Sequence, residues 1–373
     1  MLHDAAYFIT ISHLNQWTNA QINDLITQIY HENKSDLREF FSLSEDDWKN
    51  LYNIDEKKLA SLREAKEQIV NNSLLAETLM KQGFELIPLL SPDYSETLKD
   101  NLKSNTPPLL YVKGNKQLLL DDSVAIVGSR DASANGLKFT ENVAKKATEN
   151  YQAIVSGFAK GIDRAALDFT LKYIGHSIIV LPQGVLTFAS GYKTYYSQIV
   201  EGDVLVLSTF HPQAPWNVKL AMARNPIIYG LAKEIYVADS AEKGGTWNGV
   251  KDGLRKGRTI FVRRPEEHEI NANNLLIDMG AQAVDIFGNP ESLQVPESLA
   301  EPLPNKEELK DKILKLLKNS ALTAKDVCEQ LGSEMTPQMM GKMLSNMKDV
   351  EKKKTGKVVK YSVKQRHELF DMS

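Results

Sequence analysis

A chain of 373 residues is too long for one ordinary hydrophobic core and implies two or three domains. Its 42% hydrophobic and 25% charged content is that of a water-soluble globular protein, and no apolar run approaches the roughly 20 residues that span a bilayer. Cys328 is the only cysteine, which excludes an internal disulfide and a cysteine-based zinc site and fits a reducing cytoplasm. The opening MLHDAAYFITISHLNQW has neither the basic start nor the cleavage site of a secretion signal.

The net charge of −3 hides a gradient. Residues 1–80 carry 7 basic and 13 acidic side chains, whereas residues 305–364 carry 14 and 8. Attraction for phosphate is therefore expected at the C-terminal end, against the plainer alternative of a solvated lysine-rich surface.

In chain order, residues 1–80 predict a small helical domain, SAM-like or a degenerate helix-hairpin-helix. Apolar residues recur at helical spacing over 20–30, 44–51 and 56–68, with Thr18 and Ser44 as caps. Residues 81–290 alternate apolar strand-like runs (124–127, 153–155, 177–181, 204–207, 234–238, 259–262) with helical patterns (137–150, 162–174, 216–231, 246–256). Runs so continuously apolar predict strands buried on both faces, hence an α/β fold with an extended Rossmann-like, doubly wound sheet and ligands at its carboxyl ends. Two earlier segments, 86–90 and 109–113, extend that sheet. Residues 291–304, rich in proline and acid, read as a linker. Residues 305–368 predict a winged helix: helices over 306–317, 323–331 and 336–348, then two strands about a Thr355-Gly356 turn in VEKKKTGKVVKYSV.

The motifs lie at the strand ends. In VAIVGSRDASANG a strand stops at Gly128, which admits close approach of a ligand. Ser129 supplies a hydroxyl and Arg130 a planar charged fork suited to phosphate. The alternative is a tight turn with a solvated arginine. The spacing is not G-x-G-x-x-G, and there is no Walker lysine. IVSGFAKGIDRAAL repeats the design with a break at Ser156-Gly157 and then Gly161. Asp163 follows in the first helical turn, where a loop-anchoring role outranks catalysis. ARNPIIYGL places Arg224 and Asn225 ahead of the next strand, and Gly244-Gly245-Thr246 opens a further helix whose N-terminus favours anions.

The ordered series IPLLSPDYSETLKDNLKSNTPPLLYVKGNKQLLLDDSVAIVGSR, VSGFAKGIDRAAL, LPQG, ARNPIIYGL and GGT resembles the DNA-processing protein A family (DprA, also called Smf) over roughly residues 80–265. The resemblance implies a core that binds single-stranded DNA, protects incoming strands in natural transformation, loads the RecA recombinase and pairs as a homodimer, with no cofactor, no metal and no membrane. It implies a DNA pocket of Gly128, Ser129, Arg130, Ser156, Gly157, Gly161, Lys193, Arg224, Asn225, Gly244, Gly245 and Thr246. The sequence departs from the family pattern at Leu167, usually histidine, at Pro226, usually arginine, and in VRRPE, usually closed by Val-Pro-Gly.

The competing reading is a nucleotide-processing enzyme like the plant LOG phosphoribohydrolases, which carry a glutamate after the threonine of this loop. Here Thr246 is followed by Trp247-Asn248-Gly249, with no carboxylate to assist glycosidic cleavage, so binding without chemistry is expected. Phe158, Tyr192 and Phe210 are candidates for stacking on bases, against the plainer role of core packing. Gln338, Lys342 and Asn346 on the third winged-helix helix, and Lys352, Lys353, Lys354, Lys357 and Lys360 on the wing, are candidates for duplex contacts; a protein-interaction role is the rival.

Overall fold

The computed structural model describes residues 2–291, 306–331, 337–347, 349–355 and 358–364. The chain divides into two units, Met1–Gln294 and Val295–Ser373.

The first unit opens with helices α1 (Leu2–Ser12), α2 (Asn19–Thr27, continued by a π turn over Gln28–Glu32), α3 (Leu37–Ser42), α4 (Glu45–Tyr52), α5 (Glu56–Glu67) and α6 (Ile69–Lys81). Thr18 and Ser44 start α2 and α4 through full capping boxes with Gln21 and Asp47. Periodicity does not flag α1, because Ala5, Ala6, Phe8, Ile9 and Ile11 bury it on several sides and leave no polar stripe. These helices do not close a core of their own. Ile9, Ile22, Phe40 and Trp48 belong to the same apolar cluster as Leu109, Tyr111, Leu181 and Val206 of the sheet region.

The sheet has nine strands: β1 (Glu85–Pro88), β2 (Leu109–Gly114), β3 (Ser123–Val127), β4 (Ala153–Ser156), β5 (Ser177–Val180), β6 (Val204–Ser208), β7 (Glu234–Val237), β8 (Thr259–Arg263) and β9 (Gln282–Val284). Their order is β1-β2-β6-β5-β4-β3-β7-β8-β9. The strands from β6 to β9 run parallel, and β2 joins β6 antiparallel. The flanking helices are α7 (Glu96–Leu102), α8 (Ala134–Glu149), α9 (Ile162–Lys172), α10 (Ala189–Thr194), α11 (Tyr196–Glu201), α12 (Val218–Leu231), α13 (Gly245–Arg255) and α14 (Asn273–Asp278).

Alternate strand residues serve opposite faces. Ala125, Val127, Val155 and Val237 pack with Leu98 of α7, Ile227 and Ile228 of α12 and Val250 of α13. Val124, Ile126 and Ile154 pack with Phe139 and Val143 of α8 and Ile162 and Ala166 of α9. The chain steps from β3 through β4 and β5 to β6 on one side, then returns to β7 on the other. β3 and β7 thus flank the topological switch point, where a doubly wound sheet opens a crevice.

The second unit holds α15 (Lys306–Asn319), α16 (Ala324–Leu331), α17 (Pro337–Asn346) and the hairpin β10 (Val350–Thr355) with β11 (Val358–Val363). Ile313, Val327, Met340, Leu344, Met347 and Tyr361 form its core. The element order is that of a winged helix. Among the described residues no helix is long and apolar enough to cross a membrane.

Candidate functional site

Three loops meet at the carboxyl ends of β3, β4 and β7. The first, Gly128-Ser129-Arg130, is hooked to the end of β7 by the Ser129 N–H, which donates to the Asp239 carbonyl at 2.9 Å. The Ser129 hydroxyl accepts from the Asp131 N–H at 3.1 Å, tightening the turn. Arg130 is exposed and makes no hydrogen bond or ion pair among the described residues.

The second loop leaves β4 at Ser156. Gly161 has φ +87°, and a Cβ there would lie 2.4 Å from the Ser129 carbonyl oxygen and 2.5 Å from that of Arg130. Only glycine allows this backbone-to-backbone contact, which Ile162 reinforces by donating its N–H to the Ser129 carbonyl at 3.2 Å. At Gly157 the space above the backbone is filled by a guanidinium, since a Cβ would sit 1.6 Å from Nη1 of Arg224.

That guanidinium corrects one expectation. Arg224 does not face a ligand; it is 5% exposed, because it shares the sheet-packed side of α12 with Ile227 and Ile228. Its Nη1 donates to the Val180 carbonyl at 3.0 Å. Burial pushes its basicity down, while the neighbouring Asp163 supports it. Asp163, buried in the first turn of α9, accepts from the N–H groups of Ala159 and Gly157. Burial raises its carboxyl above the usual range, against the pull of Arg224, those two hydrogen bonds and Arg130. The pair clamps the β4 loop from below.

Other expected ligand groups are also turned inward. The Ser156 hydroxyl donates to the Ile126 carbonyl at 2.9 Å and stitches β4 to β3. Gly244 starts α13, Thr246 Oγ1 donates to the Gly128 carbonyl at 3.0 Å, and Asn225 Nδ2 donates to the Gly245 carbonyl at 3.3 Å. The third loop and α12 are thereby locked to the first loop. Lys193 is exposed on α10, with no bond to these loops among the described residues. Arg130, Lys160 and Lys243 are exposed on these loops beside Asp131 and Glu242, and Lys219 is exposed in the first turn of α12. Lys160 stands 3.9 Å from Asp131, both in solvent, a weak pairing.

The aromatic candidates divide. Phe158 packs against Phe188 at 4.8 Å and Tyr195 at 5.7 Å, with the Arg164 guanidinium 3.8 Å from its ring centre. Tyr192 packs between Phe84 and Phe188. Both are committed to packing. Phe210 is half-buried, with no ring partner among the described residues. Trp216, which no sequence motif marks, is 50% exposed immediately before Asn217, the N-cap of α12. Arg224 lies within α12, six residues and about 9 Å along the helix from its first residue, Val218.

In the second unit Lys352, Lys353 and Lys354 are exposed on β10, with Lys353 directly opposite Lys360. Asn346 is exposed. Lys357 and the side chains of Gln338 and Lys342 lie outside the described residues.

Residues 85–291 match the family described as DNA recombination-mediator protein A. The DNA processing protein DprA of Streptococcus pneumoniae is 37% identical over 159 residues, 42% of this chain and 56% of the relative. The chain thus spans little more than half the length of that relative. The DNA processing protein DprA of Bacillus subtilis is 28% identical over 217 residues, 56% of this chain and 71% of the relative. The X-ray structure of the Streptococcus pneumoniae protein superposes with a TM-score of 0.61 at 30% identity, covering 74% of this chain and 93% of that one.

Proposed function

The chain belongs to the DNA recombination-mediator protein A family, and on that premise we propose that it binds single-stranded DNA across the ends of β3, β4 and β7 without acting on it chemically. The observation that carries this reading is the junction at Gly161, which fuses two strand-end loops and leaves Arg130 in solvent with no hydrogen bond or ion pair among the described residues. A guanidinium held on a rigid turn, with its hydrogen-bond donors open to solvent, suits a phosphate diester. The buried Arg224–Asp163 pair supplies rigidity, and the exposed lysines supply long-range attraction.

The nucleotide-processing alternative is less well supported. Asp163, at the foot of the β4 loop, is buried and accepts two N–H groups, and no carboxylate follows Thr246 at the catalytic offset. The family resemblance extends the proposal to a homodimer that protects incoming strands and passes them to RecA, and the wing lysines to a duplex contact. Titration with a single-stranded oligonucleotide, beside an assay for release of free base from nucleoside monophosphates, tests the reading. Tight binding without turnover is the expected outcome; base release would overturn it.

Trp216, exposed ahead of α12, is the stacking candidate this proposal adds. Trp216→Ala is expected to weaken binding about 5- to 150-fold, from roughly 1–3 kcal/mol per stacked base, with its salt dependence unchanged. Quenching of the exposed indole by oligonucleotide measures the contact directly. An unquenched, fully binding protein would remove Trp216 from the path.

A further inference from the structure

β8 ends at Arg263, within the VRRPE segment that departs from the family pattern. Its guanidinium is 1% exposed, an expensive place for a charge. Nη2 donates to Asp239 Oδ1 at 2.6 Å and to Glu269 Oε2 at 2.5 Å; Nη1 donates to Glu269 Oε1 at 3.0 Å; Nε donates to the Ala238 carbonyl at 3.1 Å. Arg263 thereby holds two carboxylates side by side at the ends of β7 and β8.

Both carboxylates reach on to the loop that carries Arg130. Asp239 Oδ2 accepts from the Ser133 N–H at 2.9 Å and the Ser133 hydroxyl at 2.8 Å, and its carbonyl accepts from the Ser129 N–H at 2.9 Å. Ser133 in turn caps α8 by accepting from the Gly136 N–H at 2.9 Å. Glu269 accepts from Asn135 Nδ2 at 2.5 Å. Burial pushes the Glu269 carboxyl up, but the hydrogen bonds from Arg263 and Asn135 outweigh it and hold it at about 2. Positions 129, 133 and 135 are thus tied to one ionised cluster, and Arg130 and Asp131 form the span between the ties.

We propose that Arg263 is a positioning residue for the strand-end site: by bridging Asp239 and Glu269 it fixes the loop from Ser129 to Asn135 and so aims the Arg130 guanidinium at its anionic ligand. The proposal rests on the single-stranded DNA reading for the identity of that ligand, while the ordering of the loop does not. Without Arg263 the two carboxylates would repel each other, and the ties at Ser133 and Asn135 would loosen.

The test measures single-stranded DNA affinity against salt for Arg263→Met, Arg130→Ala and the double variant. Arg263→Met is expected to lose about tenfold in affinity and to lower the salt slope by about 0.7, the contribution of one phosphate contact on a single strand. Adding it to Arg130→Ala should change neither quantity further. Wild-type affinity and slope in Arg263→Met, or fully additive effects, would overturn the proposal, because a general loss of structure does not act through Arg130. Should Arg263→Met not fold, Ser133→Ala removes the hydroxyl bond to Asp239 while leaving the Ser133 N–H bond and Arg263 in place, and is expected to lower the slope by part of that amount; an unchanged slope would again overturn it. Amide exchange over residues 129–135 needs no DNA. About tenfold faster exchange in whichever variant folds is expected, and unchanged protection would sink the positioning role even if Arg130→Ala had no effect on DNA and the DNA reading itself failed.

Discussion

Gly161→Ala is expected to abolish single-stranded DNA binding and to destabilise the first unit by about 2–4 kcal/mol, read from urea melts. Two penalties coincide there. The residue sits at φ +87°, and the new Cβ meets two backbone oxygens at 2.4 and 2.5 Å, neither of which can swing aside as a side chain would. Relief requires the Ser129–Arg130 turn to move away from α9, which breaks the hydrogen bond from Ile162 to Ser129 and displaces the cation. Gly244→Ala is the matched control. It also has positive φ, at +102°, but no atom lies within 4 Å of its Cβ position. Only conformational strain of about 1–3 kcal/mol, with no clash and no displaced loop, is then expected. Equal effects of the two substitutions would mean that the loops are not joined as described.

Arg224→Met is expected to cost about 1–3 kcal/mol, because it removes the hydrogen bond to the Val180 carbonyl and a positive charge that acts through space on the buried Asp163 carboxyl. The deficit should depend on pH. Burial already raises the Asp163 carboxyl in the folded protein above its ordinary value. A raised carboxyl contributes stability at low pH that is lost as pH climbs through its folded value. Removing Arg224 raises it further, so the deficit of the variant should be larger at neutral pH and shrink as acidification protonates the carboxyl. Arg224→Met combined with Asp163→Asn should recover much of the loss at neutral pH, since a neutral amide needs no counter-ion. A deficit independent of pH and not rescued by Asp163→Asn would contradict the clamp.

The fold was legible because its signals are local. Apolar runs such as Val124–Val127 have no polar alternation, as strands buried on both faces must. Ser44 and Asp47 spell a capping box at three-residue spacing. The site was legible only in part, for the same reason. Gly161 is readable as a glycine that ends a strand turn, but its contact with Ser129 and Arg130 spans some thirty residues of sequence. Arg224 looks like a ligand because arginine before asparagine in a strand-end motif suits phosphate; only the packing of α12 shows that its face is the buried one. Arg263 and Asp239 lie 24 residues apart and carry no motif, so their pairing emerges only when β7 and β8 are laid side by side. Trp216 sits in a proline-containing loop, where sequence says nothing about exposure.

The central claim, that an exposed arginine free of ion pairs on a rigid strand-end loop holds the phosphates of a single strand, is tested most directly by one titration. Affinity for a short single-stranded oligonucleotide is measured by anisotropy from about 50 to 200 mM salt for the wild-type chain and Arg130→Ala. The expected result is weaker binding by Arg130→Ala together with a salt slope shallower by about 0.7. Coincident lines for the two proteins would contradict it.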